Sequence, residues 1–357
     1  MHMKKLAAAC TLALGTLATG GAHAAFPFDP VQVDLYLSGA SAVQNNFKAQ
    51  LSALLNAGYK TACDNSTANC SEYFAVTGTL KSAAPVPAVL FGKTARIIYR
   101  TRGGSVLGVD PVARAEKVQW MDMASGTCST TAPAGESVVA DYYCSPLGTD
   151  GANDGRVPDL GVSDVEPRMF QSPLNVEWDP TAMADKPQLS PADLNALSPK
   201  PAYQQAFGVP VTNVISTSMF LNKPMVTSML GKFGQMHDWA NVPGAPVAAI
   251  NPGQATKPVV VCRRVQGSGT QATANYFVSN FGCAGSAYDI PGRMATDSAF
   301  YNAQGSGLTK DDPIIIDPSL GYTVVENPGS GDVRSCLTAA QNGTNWTFKA
   351  DTNLWHQ

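Results

Sequence analysis

Arg264-Val265-Gln266-Gly267-Ser268-Gly269-Thr270 follows the β-branched run Val259-Val260-Val261 and leads into a helical pattern that reaches Phe281. A short, continuous β-branched run fits a buried strand. Small hydroxylated residues after it fit the opening of a helix. A helix start leaves backbone N–H groups unpaired and carries a partial positive charge, which makes it a ready seat for an anion. Glycine lets the backbone approach a ligand closely, and Ser or Thr adds a hydroxyl donor.

The same strand–turn–helix arrangement occurs twice upstream. Val31 to Leu37 alternates apolar and polar residues as a half-buried strand does. It runs through Ser38-Gly39-Ala40-Ser41 into a helical stretch from Ala42 to Ala57, with Val43, Phe47, Leu51, Leu54 and Leu55 at helical spacing. Ala95 to Tyr99 is a second strand, ending in Gly103-Gly104-Ser105 before a helical pattern through Ala115. One such turn alone reads first as a helix N-cap. Three, with an arginine beside one, point to an anion. Alternating strand and helix patterns place the chain in the α/β class. Residues 121–158, rich in Ser, Thr, Gly, Asp and Pro and carrying two cysteines, suit a stapled surface insertion. Val209 to Ser216 is a further apolar run, Pro224 to Phe233 reads as helical, and the last 50 or so residues read as loop.

The amino terminus reads as a secretory signal over residues 1–24. Lys4 and Lys5 precede the apolar stretch Leu6 to Ala18, and Ala22-His23-Ala24 is a small-x-small cleavage site before Ala25. That apolar stretch is shorter than the roughly 20 residues a spanning helix needs. The protein is therefore expected in the periplasm or secreted. The full chain carries a net charge of −3, and loss of Lys4 and Lys5 makes it more negative still. No basic surplus exists to neutralise nucleic acid, so an anion has to be held by a local site. In an oxidising compartment disulfides are the default for cysteine. Proximity in sequence suggests Cys63–Cys70, Cys128–Cys144 and Cys262–Cys283, with Cys336 unpaired, although spacing alone does not fix connectivity. No Cys-x-x-Cys or His-x-x-x-His spacing favours zinc, and no metal or cofactor is expected.

Five segments, in order along the chain, resemble the periplasmic phosphate-binding proteins of ABC transporters, which belong to the type II periplasmic solute-binding superfamily. Arg264 to Thr270, with Asn275-Tyr276-Phe277 beyond it, is similar to that family's Arg-x-Asp-Gly-Ser-Gly-Thr segment. Asp159-Leu160-Gly161-Val162-Ser163-Asp164 is similar to its Gly-x-Ser-Asp segment. Leu37 to Val43 and Tyr99 to Ser105 resemble its two glycine-rich turns, and Leu230-Gly231-Lys232-Phe233 with Asp238-Trp239 resembles a stretch of its second lobe. The resemblance implies two α/β lobes of mixed sheets flanked by helices, with a ligand in the cleft between them. The first lobe would span residues 26–212 and the second residues 213–357, with a return segment that is short or missing. It also implies capture of phosphate without catalysis, a membrane permease as partner, and a monomer.

Residue by residue, Arg264 would bind the oxyanion, and Ser268, Gly269 and Thr270 would donate to it from hydroxyls and N–H groups. Asp164 would accept the proton of a protonated phosphate. Ser41, Ala42, Gly104 and Ser105 would complete the site from the first two turns. Ala42 stands where the family carries Thr, Gln266 where it carries Asp, and Gly104 where it carries a ligand Ser, with Ser105 next. Arg100 and Arg102, just before the second turn, read as solvated surface residues or, alternatively, as added charge for the cleft, and Asp164 with Arg264 reads alternatively as a structural ion pair. Three other functions remain compatible with the sequence. One is the same fold with another oxyanion or a phosphorylated ligand. A second is an adhesion or assembly protein that has lost the anion. The third is a secreted hydrolase, for which only His237 and His356 would be available as bases once the signal is removed.

Overall fold

Strand periodicity accounts for the centre of the molecule. In the computed structural model, Val33–Gly39 (β1), Lys60–Asp64 (β2), Tyr73–Thr79 (β3) and Thr94–Arg100 (β4) are strands of one seven-stranded mixed sheet. Cys128–Ser129 (β5), Tyr142–Cys144 (β6) and Leu160–Val162 (β7) complete it. The sheet order is β5-β6-β2-β3-β4-β1-β7. The structure describes residues 31–65, 70–83, 85–124, 126–146, 155–172, 175–179, 184–202, 204–216, 222, 223, 226, 250, 251, 253–256, 259–278, 322–327 and 329–344. The signal segment, residues 224, 225 and 227–233, Asp238-Trp239, His237, Cys283 and His356 lie outside the described residues.

Side chains alternate across the sheet, so each strand feeds two cores. One face buries Ala62, Tyr73, Ala75 and Ile98 with Trp120, Met121, Met123, Phe170 and Leu189. The other buries Leu37, Cys63, Phe74, Val76, Ile97 and Tyr99 with Leu51 and Leu55. Each fully buried Ile or Leu contributes roughly 1.5–3 kcal/mol. The second face is covered by the helix Gln44–Ala53 (α1), whose Phe47 meets Tyr99 edge-to-face at 5.0 Å. The apolar spacing read from Val43 to Leu55 is the packing face, although the helix itself ends at Ala53.

Strands β4, β1 and β7 are parallel, in the register Ser38↔Arg100 and Ser38↔Gly161. Their carboxyl ends therefore share one edge. Past β4 comes a short 3-10 turn, Ser105–Gly108, then the one-turn helix Asp110–Arg114 (α2). The segment 121–158 is stapled by Cys128–Cys144 as expected. It is not a purely surface feature, because β5 and β6 extend the sheet and bury Tyr143 and Cys144. A short hairpin follows, Trp178–Asp179 (β8) with Ala184–Asp185 (β9), then the helix Pro191–Ala196 (α3), capped by Ser190.

Val259–Arg264 (β10) pairs in parallel with Tyr322–Asn327 (β11), a strand within the stretch expected to be loop. Gly269–Phe277 (α4) follows β10, and Ser330–Asn342 (α5) follows β11. The tail reads as loop because Pro328 and Gly329 interrupt it, yet Gly329 is the residue that caps the start of α5. This corrects the disulfide pairing too. Helix α5 returns along β10 and brings Cys336 to Cys262, with Cα atoms 6.0 Å apart, and the two are bonded. Nearness in sequence favoured Cys283, whereas parallel pairing of β10 with β11 makes the partner one from 74 residues away. Cys63–Cys70 is bonded as expected. Among the described residues no helix is long and apolar enough to cross a membrane.

Candidate anion-binding site

The carboxyl ends of β4, β7 and β10 meet. This is where open α/β sheets place ligands, because strands ending side by side leave a crevice lined by turns. The Val106 N–H donates to the Gly267 carbonyl at 2.9 Å, joining the turn after β4 to the turn after β10. The Asp164 N–H donates to Ser105 Oγ at 3.4 Å, joining the turn after β7 to the same place. Thr270 Oγ1 donates to Asp164 Oδ2 at 3.1 Å.

Arg264 ends β10 and is only 4% exposed. Its Nε donates to the Asn327 carbonyl at 3.3 Å and its Nη1 to Ser330 Oγ at 3.0 Å. Its backbone N–H donates to Gln271 Oε1 at 3.3 Å. These anchors come from β11, α5 and α4, and they hold the guanidinium beside the second glycine-rich turn. A Cβ on Gly104 would lie 3.5 Å from Arg264 Nη2 and 3.4 Å from Ser268 Cα.

Helix α4 begins with Ser268, whose Oγ accepts from the Gln271 N–H at 3.3 Å. That bond is an ordinary N-cap, and it leaves the hydroxyl proton available for donation. Gly269 is required by close approach. A Cβ there would lie 2.6 Å from Ser105 Oγ and 2.9 Å from Asp164 Cβ. Gly269→Ala therefore has to push two site segments apart. We expect about 1–3 kcal/mol of destabilisation, as for other overpacked sites, read as a lowered urea midpoint. The inner face of α4 is polar, since Gln271 donates to Asn275 at 2.8 Å and Asn275 donates to Asn175 at 2.7 Å.

Burial raises the Asp164 carboxyl above the usual carboxylate range, against the opposing pull of Thr270, the Arg264 charge and Ser105. Its Oδ1 is buried and makes no hydrogen bond among the described residues. Such a group favours sharing a proton over standing as a bare charge.

The first turn reaches the site through β7. The Ala40 N–H donates to the Val162 carbonyl at 2.8 Å, and the Tyr99 hydroxyl donates to the Ala40 carbonyl. Gly39 has φ of +136°, and a Cβ there would strike the Val162 carbonyl at 1.9 Å. Helix α1 has Val43 at its cap with no side-chain bond, so Ser41 is not an N-cap. The Ser41 hydroxyl is buried and has no hydrogen-bond partner among the described residues. Ala42, half-buried beside it, has no side chain that could donate.

Gln266 is bonded away from the site, its Nε2 donating to Asp185 Oδ1 at 2.8 Å and to the Val176 carbonyl at 3.4 Å. An Asp at this position would face the Asp185 carboxylate, whereas an amide pairs with it. Arg100 corrects the expectation of a surface residue. It is 0% exposed, because β4 is an interior strand and the turn at 101–104 covers it. Its Nη1 donates to the Arg102 carbonyl at 2.6 Å, and Arg102 in turn lies 3.7 Å from Glu72.

The structure thus brings together Gly104, Ser105, Asp164, Arg264, Ser268, Gly269 and Thr270, and it sets Ser41 at the adjoining strand end. The sequence reading missed Asn327 and Ser330, which fix Arg264. Their signal was present, because Pro328-Gly329-Ser330 repeats the strand–small turn–helix pattern found at the other turns. Among the described residues no group of three or more His, Cys, Asp or Glu could hold a metal ion. Neither protein-family models nor curated proteins nor solved structures yield a match to this chain.

Proposed function

We propose that this chain is an exported, two-lobed solute-binding protein. In this reading it holds a small oxyanion, phosphate, between its lobes and presents it to an ABC-type permease. The observation that supports this most is the meeting of Arg264, Asp164, Ser105 and Thr270 at the start of α4. Arg264 supplies charge-assisted hydrogen bonds to the anion. The start of α4, with the Ser105 and Ser41 hydroxyls, supplies neutral donors. Closure of residues 213–357 against residues 26–212 would bury the anion, and nothing in the mechanism makes or breaks a bond. Three disulfides fit an oxidising compartment, the periplasm or the exterior.

Asp164 supplies the selectivity. A carboxylate beside an anion repels it unless the ligand brings a proton to share, so protonated phosphate is accepted and fully ionised sulfate is refused. Asp164→Asn should narrow the preference for phosphate over sulfate by about tenfold or more in competition titrations. A variant that keeps the wild-type preference would remove Asp164 from this role.

The same substitution carries a stability signature. The raised carboxyl binds more protons in the folded state than in the unfolded state, from its ordinary value near 3.8 up to its raised value. Wild-type stability therefore falls as pH rises through that window. The asparagine variant lacks this loss, so its urea midpoint should gain on wild type as pH rises above the ordinary carboxylate value.

A further inference from the structure

Gln266, in the turn after β10, and Asn275, on the inner face of α4, both reach the β8–β9 hairpin. Gln266 Nε2 donates to Asp185 Oδ1 at 2.8 Å and to the Val176 carbonyl at 3.4 Å. Asn275 Nδ2 donates to Asn175 Oδ1 at 2.7 Å. Tyr276, next along α4, is hydrogen-bonded to Asn175 as well. Asn175 and Val176 lead into β8, and Asp185 ends β9, so both legs of the hairpin are engaged. Gln266 is 4% exposed, and Asn275 and Asn175 are each 1% exposed. A hydrogen bond left unmade at that depth is costly, so these bonds specify one docked position of the hairpin. The backbones also touch there, since a Cβ on Gly267 would lie 3.6 Å from Glu177 Cα.

The hairpin is braced from its own side of the molecule. The Lys186 N–H donates to the Glu177 carbonyl at 2.8 Å, and Lys186 Nζ lies 2.7 Å from Glu177 Oε2. Asp185 Oδ2 accepts from Ser172 Oγ at 3.0 Å, and Asn175 Nδ2 donates to the Met169 carbonyl at 3.3 Å. Phe170 and Leu189, on either side of the hairpin in sequence, are buried in one core of the seven-stranded sheet. None of the bonds to Gln266 and Asn275 uses a side chain proposed to hold the anion. Their effect still reaches Arg264, because Gln271 donates to Asn275 Oδ1 and accepts from the Arg264 N–H.

We infer that the β8–β9 hairpin is a latch: through Asn175 and Asp185 it holds β10 and α4 against the first lobe, and the site opens only when those bonds break. This rests on the two-lobed reading above, in which Asn175 and Asp185 belong to one lobe and Gln266 and Asn275 to the other. An equilibrium between open and closed forms responds to every bond that differs between them, whether or not the ligand takes part in it. Apparent affinity falls in proportion to the fraction of closed molecules. Weakening the latch therefore loosens anion binding without altering any anion contact.

The test compares wild type with Gln266→Glu, and with Gln266→Glu combined with Asp185→Asn. The single substitution sets two carboxylates against each other. The second restores a donor, since the new amide can donate to the new carboxylate and still accept from Ser172. Small-angle scattering in anion-free buffer and calorimetric titration with orthophosphate, both at neutral pH, are the readouts. The single variant should have a larger radius of gyration than wild type without anion and contract to wild-type size with saturating orthophosphate. It should also bind orthophosphate about tenfold more weakly. The double variant should regain wild-type size, with affinity within about threefold of wild type. A single variant of wild-type size and affinity would overturn the latch, and so would an expansion that the second substitution does not reverse. Asn175→Ala loosens the other leg and should give the same expansion, which keeps the test decisive if Gln266→Glu does not fold. Absence of orthophosphate binding by wild type would overturn the oxyanion reading, while the scattering would still decide the latch.

Discussion

Arg264→Ala should weaken oxyanion binding at least about 100-fold in equilibrium dialysis, the largest effect expected of any single substitution in this chain. A hydrogen bond to a charged group contributes roughly 1.5–3 kcal/mol, and a guanidinium fork can make two to one anion. Two such bonds correspond to a hundredfold or more in affinity. The substitution also strips the Asn327 carbonyl and the Ser330 hydroxyl of the donor they share. Some loss of stability, on the order of 1–2 kcal/mol, should accompany it. Arg264→Lys separates the two effects. It keeps a charge but loses the planar fork, so it should fold well and still bind at least about tenfold more weakly. An alanine variant that folds and binds like wild type would place Arg264 outside the site.

Removing the Cys262–Cys336 bridge should cost about 4 kcal/mol of stability, the largest purely structural effect. The bridge closes a loop of 74 residues, and in the chain-entropy model a loop of that size restrains the unfolded chain by roughly that amount. The double variant Cys262→Ser, Cys336→Ser, unfolded in urea, should show a correspondingly lowered midpoint. The bridge lies two residues before Arg264 and ties α5, which carries Ser330, to β10. Oxyanion affinity should therefore fall with it. Peptide mapping of the unreduced protein checks the connectivity directly. A Cys262–Cys283 peptide would contradict the pairing, and a Cys262–Cys336 peptide supports it.

How much of this was legible in the sequence depended on whether the deciding forces were local. Strands β1, β4 and β10 and helices α1 and α4 could be read because apolar spacing and small turn residues act over a few neighbours. The recurrence of those turns indicated which strand ends would converge. Three features escaped because long-range pairing decides them. Strand β11 and helix α5 are defined by docking on β10, and the partner of Cys262 followed from that docking. Arg100 looked like a surface residue because arginine usually is one, and only its interior strand buries it. The two strands of the stapled insertion are two and three residues long, too short for any periodicity to register. Gln266 shows the opposite case. It departs from the resembled motif, and its bond to Asp185 shows an amide matched to a neighbour across the fold.

Four turns at adjoining strand ends, with Arg264 and Asp164, make up the proposed oxyanion site. The most direct measurement is calorimetric titration of the purified wild-type protein with phosphate, with sulfate and molybdate as competitors, at neutral pH. Saturable heat at one site per chain, which sulfate in excess does not displace, is the expected result. A folded sample that gives no heat with any of the three anions would contradict it.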